Sequence, residues 1–351
     1  VPAHNEESCL GDLLESLAAQ RYPKLRVRVA LDRCTDASAA IVQRYAEADP
    51  RFQAVVIEEC PPEWAGKVNA VHAAVTRDGF LDNLDDAEWL LFTDADTEFH
   101  PDLVRASVQF ALARGLGFIS LLPTLRTHRW FERIVQPVAA AQFLQIYPLR
   151  LANRPGERRR PAANGQFMLF RKDAYLTAGT HEAVRKFLLE DLGFARRLHK
   201  RGVAMGLIPA GRLFRCNMYD CYTSFREGWK RIYIDSMHWR VDRLRTAMRW
   251  QQLIGWTIFF TLLANLATVF QGDVIGGLAR IGVLLLAQFV MLLPAYLRQG
   301  AGLWAIFTYP FATLLLARIL AEAADDLEAE RELTWGGRSY KLQPRSGDRQ
   351  I

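Results

Sequence analysis

Three long apolar stretches crowd the last third of this 351-residue chain and constrain it more than any other feature. LIGWTIFFTLLANLATVF (253–270), VIGGLARIGVLLLAQFVMLLPAYL (274–297) and LWAIFTYPFATLLLARIL (303–320) each approach or exceed the ~18 to 20 apolar residues that cross a bilayer. A soluble domain can bury one such hairpin, but three stretches in near succession point to a membrane protein. Charges inside them are few, Arg280 and Arg318 being the notable ones, which argues against a transporter with an ion path.

Upstream the hydrophobic pattern changes. Leu10, Leu13, Leu14 and Leu17 mark one face of a helix that stops near Tyr22-Pro23, and LRVRVAL (25–31) alternates as a strand ending at Asp32. IVQRYAEA, KVNAVHAAV and DLVRASVQFALA read as helices between the strands AVVI (54–57), EWLLFT and GFISLL (117–122). Strands alternating with helices predict an α/β fold with a mostly parallel sheet and helices on both faces. Further on, QFMLFR (166–171) and VAMGLI (203–208) read as strands and LLEDLGFARRLHKRG as a helix closed by Gly202. RPGERRRPAANG before them is a loop, and loops of this length are usually functional or mobile.

The net charge of +6 is interrupted by acidic clusters and accompanies no nucleic-acid-binding module, so no nucleic acid is expected as a partner. Arg and Lys collect at 154–160 and 226–249, just before the first apolar stretch, which predicts a multi-pass cell-membrane protein with its N-terminal part in the cytoplasm. Cys9, Cys34, Cys60, Cys216 and Cys221 are odd in number and lack paired C-x-x-C spacing, so reduced thiols are expected rather than disulfides or zinc. The chain opens at VPAHNEE in what reads as the end of a strand, and an upstream segment, including a signal anchor, is an expectation.

LLFTDADTEFHPD (90–102) carries the chemistry. An apolar run ends in two carboxylates one residue apart, and Pro101 suits the first turn of a new helix. In open α/β sheets the ligand crevice lies outside the carboxyl ends of the strands. Asp94 and Asp96 in an extended run point the same way and can share one divalent cation; a solvated turn is the plainer alternative.

VPAHNEE, LDRCTDAS, GKVNA and TDADT all fall at ends of βα units, and LLEDLGFARRL lies beyond them. Their order resembles the family 2 glycosyltransferases with a GT-A fold, over roughly residues 1 to 235. Pro2, Asn5 and Glu6 look like the family's P-x-x-N-E opening. Asp32, Cys34, Asp36 and Ser38 match its D-x-S-x-D-x-T, with Leu31 where an Asp often stands. Asp94 and Asp96 match the metal D-x-D, and Glu190-Asp191 the E-D pair.

The resemblance implies a nucleotide diphosphate sugar donor, probed by Pro2, Asn5, Glu6, Asp32, Asp36, Lys67, Asn69 and Asp94, and a Mg²⁺ or Mn²⁺ ion on Asp96 and Asp94. Asp32 can accept from a base imide or a ribose hydroxyl, and Lys67 is a point charge suited to phosphate. Asp191 would act as the catalytic base of an inverting transfer, with Glu190 orienting the pair or touching the acceptor. Helix capping by Asp32 and Asp36, a solvated Lys67, and a macrodipole preference of Glu190 and Asp191 are the plainer alternatives.

GTHEAV (179–184) resembles the G-G-H segment of membrane glycosyltransferases acting on carotenoids, hopanoids and sphingolipids, which would make His181 an acceptor residue; a satisfied histidine is the alternative. TWGGRSYKL (334–342) is similar to the W-x-G-R-x-Y-x-L ending of lipid glucosyltransferases. REGWKR (226–231) supplies Arg226 and Trp229 as acceptor candidates but lacks the (Q/R)-x-x-R-W order of processive polysaccharide synthases.

Trp229, Tyr233, Met237, Val241, Leu244 and Met248 form a helical stripe flanked by Arg and Lys, read as one basic interfacial helix. The expected division is therefore a GT-A domain (1–224), the interfacial helix (225–250), a membrane region of about three segments (251–320) and a tail (321–351). The expected function is transfer of a sugar, UDP-linked by expectation, to a lipid hydroxyl. An exopolysaccharide or cell-wall glycan synthase and a catalytically silent membrane-anchored binding protein are the alternatives. Three full crossings would strand the tail on the face opposite the active site, and Pro310 leaves room for a re-entrant element.

Overall fold

A computed structural model of the chain describes all residues except 84–88, 336–337 and 346–351, and all side chains of the described residues except those of Arg298 and Thr334. Gly336 and Gly337 of the tail motif, and Glu88 of the expected EWLLFT strand, thus lie outside the described residues. The chain divides into two compact units. The first comprises Val1–Thr124, Tyr147–Met218 and Thr334–Arg338, the second Leu125–Ile146, Tyr219–Leu333 and Ser339–Ile351. The expected domain 1–224 therefore gives up an internal piece, Leu125–Ile146, to the helical unit.

The first unit begins with β1 (Pro2–Ala3), α1 (Leu10–Ala18), β2 (Val27–Asp32), α2 (Ser38–Ala48), β3 (Phe52–Ile57) and α3 (Gly66–Thr76). β1, β2 and β3 are parallel, in that order. All four leucines of the expected helical face are buried on α1, in one apolar cluster with β2 and β3 residues such as Val29 and Phe52. The unit continues with β4 (Trp89–Thr93), β5 (Thr97–Phe99), α4 (Leu103–Ala113), β6 (Phe118–Leu122) and the short β7 (Thr124–Leu125), which runs across the division.

After two helices of the other unit, α5 (Trp130–Ile134) and α6 (Gln136–Ile146), come α7 (Leu149–Ala152), β8 (Phe167–Arg171), α8 (Lys172–Ala178), α9 (Glu190–Lys200), β9 (Met205–Pro209) and β10 (Phe214–Cys216). The second sheet has the order β4-β8-β6-β9 and is mixed: β8 is antiparallel to β4 and β6, while β9 is parallel to β6. The expected parallel order holds in β1-β2-β3 and in β6-β9, and β8 is the antiparallel insertion, a direction that its apolar run does not encode. The insertion matters for function. Phe167 pairs with Thr93, so β8 enters the sheet where β4 ends, and the Asn164–Gly165 turn arrives beside the D-x-D segment.

The second unit also contains α10 (Tyr222–Ser236), α11 (Val241–Phe270), α12 (Val274–Gln299) and α13 (Tyr309–Glu328); the tail hairpin of β11 (Glu332–Trp335) and β12 (Arg338–Lys341) spans the division. Among the described residues, three stretches are helical, long and apolar enough to cross a membrane. The single interfacial helix expected over 225–250 is two helices, because the chain turns at His238 and Trp239, both with φ +61°. Pro310 sits in the first turn of α13, where its missing N–H costs nothing.

Candidate active site

Three of the element ends that the motifs marked meet in one cluster, together with a turn that they did not mark. The β4 end delivers Asp94 and Asp96, the α3 start Lys67, the α9 start Glu190 and Asp191, and the turn into β8 Gly165. Lys67 Nζ lies between two carboxylates, 2.6 Å from Asp94 Oδ1 and 2.7 Å from Glu190 Oε1. Burial by itself would lower the lysine's pKa, but Asp94 and Glu190 outweigh it and hold the ammonium charged. Glu190 is 3% exposed, so a solvated helix-start acid does not describe it.

Asp191 is clamped by main chain. Gly165 N–H donates to its Oδ2 and Leu192 N–H to its Oδ1, both at 2.7 Å. Burial, then the neighbouring Glu190, push the Asp191 carboxyl up to about 7 despite these bonds and Lys67. That is the range a base working near neutral pH needs. Asp96 is likewise pushed up to about 7, by burial and then by Asp94 and Glu6.

Gly165 was not singled out from sequence. A Cβ there would lie 3.0 Å from Lys67 Nζ, 3.3 Å from Glu190 Oε1 and 3.4 Å from Asp191 Oδ2, so glycine lets the backbone approach the cluster. Cys216 and Asn217 were missed as site neighbours as well. Gln166 Nε2 donates to Cys216 Sγ at 2.8 Å, and Asn217 N–H to the Asp96 carbonyl at 2.9 Å. Only the β5–β10 pairing, which sets Thr97 opposite Cys216, brings them here.

Among the described residues, no three His, Cys, Asp or Glu side chains form a ready metal cage. Asp96 Oδ1 nevertheless is buried without a hydrogen-bond partner, as is Asn217 Oδ1. Unpartnered oxygens beside a crowd of carboxylates fit a divalent cation that a ligand would help to hold.

The expected donor residues divide. Asp32 is buried, but its carboxylate accepts from Arg33 Nε at 2.9 Å and Nη2 at 2.8 Å, with Arg33 at φ +50°. Asp36 accepts from Ser38 N–H at 3.0 Å and Glu7 N–H at 2.9 Å, so the capping alternative describes it. Asn5 Oδ1 accepts from Thr35 N–H at 2.8 Å, and Glu6 N–H donates to Ser38 Oγ at 2.9 Å, together tying the first two βα loops. Asn69 Nδ2 donates to the Glu59 carbonyl at 3.1 Å. Pro2 lies in β1 opposite Ala30.

The acceptor expectations fare differently. His181 is 1% exposed, packed on Phe92 and Phe194, with Nδ1 2.8 Å from the Tyr175 hydroxyl. Burial drives its pKa well down, which makes it a neutral core histidine rather than an acceptor surface. Arg226 and Trp229 belong to the second unit. There Arg226 Nε pairs with Glu322 at 3.3 Å and Trp229 is buried against Tyr233.

A family model described as "Glycosyltransferase like family 2" matches residues 1–239 of this chain. The chain belongs to that family. It is thus a glycosyltransferase with an α/β domain followed, among the described residues, by three long apolar helices. As a family 2 glycosyltransferase it is similar to the 4,4'-diaponeurosporenoate glycosyltransferase of Staphylococcus aureus strain MRSA252, 22% identical over 97% of this chain and 87% of the relative. The protein of that name from strain USA300 is 21% identical over the same shares. A solved mannosyltransferase from Pyrobaculum calidifontis, in complex with GDP-Man and Mn²⁺, aligns over 93% of this chain and 84% of its own at 18% identity and a TM-score of 0.48.

Proposed function

We propose that this family 2 glycosyltransferase transfers a sugar, with inversion, from a nucleotide diphosphate donor to a lipid acceptor at the cytoplasmic face of a membrane that it crosses more than once. The observation that carries the reading is the carboxylate cluster around Lys67, with Asp191 held by two amides. In the transfer, the acceptor hydroxyl gives its proton to Asp191 as its oxygen bonds to the anomeric carbon. The bond to the diphosphate breaks, and the diphosphate leaves with the bonding pair. Lys67 supplies positive charge beside Asp94, and Glu190 holds Lys67 in place.

Asp96 and Asp94 would hold Mg²⁺ or Mn²⁺, which when bound neutralises charge on the leaving diphosphate. Support for a lipid acceptor comes from the S. aureus relative, named for a carotenoid acid, and from the three apolar helices. Uridine is the base we favour for the donor. Asp32 would meet it only after its Arg33 partner turns aside. A polysaccharide synthase is less well supported, since Arg226 is committed to Glu322.

The test is release of nucleoside diphosphate by the purified protein across a panel of UDP- and GDP-sugars, with and without Mn²⁺, together with calorimetry of Asp96→Asn. Turnover of one donor, and Mn²⁺-dependent donor binding that the substitution removes, is the expected result. Equal Mn²⁺-dependent affinity in Asp96→Asn would overturn the metal role, and absence of turnover across the panel would overturn the catalytic one.

A further inference from the structure

The three apolar stretches do not reach equal depths. On α11 the last charged side chain is Arg249, and the uncharged run from Trp250 to Phe270 makes about 32 Å of helix, enough for a hydrocarbon core of ~30 Å. α12 returns beside it: at the far turn, Arg280 Nε donates to Asn265 Oδ1 at 2.8 Å and Arg280 Nη2 meets Asp273 Oδ2 at 2.9 Å. α13 is also antiparallel to α11, and side chains fix its register. Arg245 Nη2 meets Asp325 Oδ1 at 2.6 Å and Glu328 Oε2 at 2.9 Å, whereas Phe311 near the start of α13 packs on Phe259, 6.3 Å between ring centroids. Between these pairs, a Cβ on Gly255 would strike Thr313 Oγ1 at 2.6 Å. Phe259 is about nine residues, ~14 Å, beyond Trp250. α13 thus begins halfway along the apolar part of α11.

We infer that the third apolar stretch is a re-entrant element occupying one leaflet, so that the chain crosses the membrane twice. This rests on the membrane reading proposed above. The 3₁₀ turn Leu303–Thr308 dips in from the face to which α12 returns, and α13 leaves by the face at which α11 enters. Length and composition alone count three spans; the helix register reduces them to two.

Three further observations agree. Bent backbone inside a bilayer needs its polar groups satisfied by protein. Gln288, 8% exposed in mid-α12, donates Nε2 to the Ile306 carbonyl at 2.6 Å, and Thr308 Oγ1 donates to the Ala305 carbonyl at 2.7 Å. Arg318, with its side chain 72% exposed, pairs with Glu322 at 3.1 Å. On a third full crossing this guanidinium would face hydrocarbon; on a re-entrant helix it lies between the Gly255 and Arg245 levels of α11, near the headgroups. Finally, the two spanning helices are 6% and 11% buried over their most apolar windows, against 50% for the third, as suits an element sheltered by its neighbours.

An even number of crossings returns the tail to its starting face. Arg338 Nη1 lies 2.9 Å from Cys60 Sγ, 2.8 Å from the Pro61 carbonyl and 2.5 Å from the Trp64 carbonyl, a contact that three crossings would forbid.

The experiment is labelling of intact cells expressing the full chain with a membrane-impermeant maleimide. All five natural cysteines precede α11, so the unsubstituted protein sets the outside baseline. Gln271→Cys should label from outside, at least about tenfold above that baseline. Ala329→Cys and Ser339→Cys should stay at baseline until permeabilisation, when each gains one label. Labelling of Ala329→Cys from outside would establish a third crossing and overturn the inference, leaving membrane insertion intact. If Gln271→Cys stays unlabelled from outside, α11 and α12 do not form a spanning hairpin and the inference also falls. Release of the unsubstituted protein by alkaline carbonate would then identify the membrane reading itself as the failure.

Discussion

Asp94, Asp96, Glu190 and Asp191 in the first unit crowd around one lysine, whereas Glu322, Asp325, Asp326 and Glu328 on α13 are met by Arg226, Lys230, Arg245 and Arg331. Both groups gather acids within a few residues of each other. In the second, every one of these acids meets a cation, Asp325 and Glu328 sharing Arg245, and the pairs join α10 and α11 to α13. In the first, Asp96 and Asp191 are left with carboxyls pushed up to about 7. A charge imbalance that the fold maintains at a stability cost is the mark of a site awaiting ligands. A balanced cluster is scaffolding. The basic residues before the first apolar stretch thus serve in part as partners for α13.

The strongest break in this contrast is Asp191→Asn. Transfer should fall by roughly 10²- to 10⁴-fold while donor affinity, measured by calorimetry, stays the same. The unsubstituted enzyme should also lose about tenfold in kcat per pH unit below a pKa of about 7, because only the ionised carboxylate can take a proton. The residual rate of the Asn variant should show no such dependence. A variant that transfers at the normal rate would reduce Asp191 to a helix-start residue.

Lys67→Met comes next. Removing the one cation from among buried carboxylates should cost about 3 to 5 kcal/mol at neutral pH, read by thermal unfolding in detergent. Lys67→Arg, which keeps a cation between Asp94 and Glu190, should cost much less. An equal penalty in Lys67→Arg would show that packing rather than charge is what Lys67 provides.

Arg245→Ala should have the smallest effect. Its pairs with Asp325 and Glu328 are largely exposed, and such bridges are worth about 1 kcal/mol or less. Sugar transfer should be unchanged. A loss approaching that of Lys67→Met would erase the distinction between the two clusters.

Much of the site was legible because its chemistry is local. D-x-D after an apolar run, and two acids opening a helix, are short-range patterns that survive translation into structure. The rest depends on long-range pairing. Nothing in QFMLFR announces that it runs against its neighbours, and without that direction the Asn164–Gly165 turn could not be assigned to the cluster. Gly165 matters through what it lacks, which no search for reactive side chains detects. The turn at His238 and Trp239 breaks a stripe whose spacing reads as continuous, since neither is the glycine that ordinarily marks a left-handed turn. The pairing of Arg245 with Asp325 joins residues 80 apart and leaves no trace in either local pattern. His181 misled for the opposite reason: a motif-like neighbourhood surrounds a side chain that the aromatic core consumes.

Both oxygens of Asp191 are gripped by peptide N–H groups, of Gly165 and Leu192. Side-chain replacement at either donor leaves that donor in place, so an alanine scan would report steric disturbance at Gly165 and loss of packing at Leu192 while remaining blind to the grip itself. Proline can delete such a donor, but it alters the backbone at the same stroke. Swapping one amide for an ester by chemical synthesis or codon reassignment would remove a single N–H and nothing else. Aim at the carboxylate is therefore heritable in the chain's path more than in its lettering: the amide of Leu192 survives a change of side chain, and Gly165 is fixed by the room that its missing side chain leaves rather than by the bond it makes.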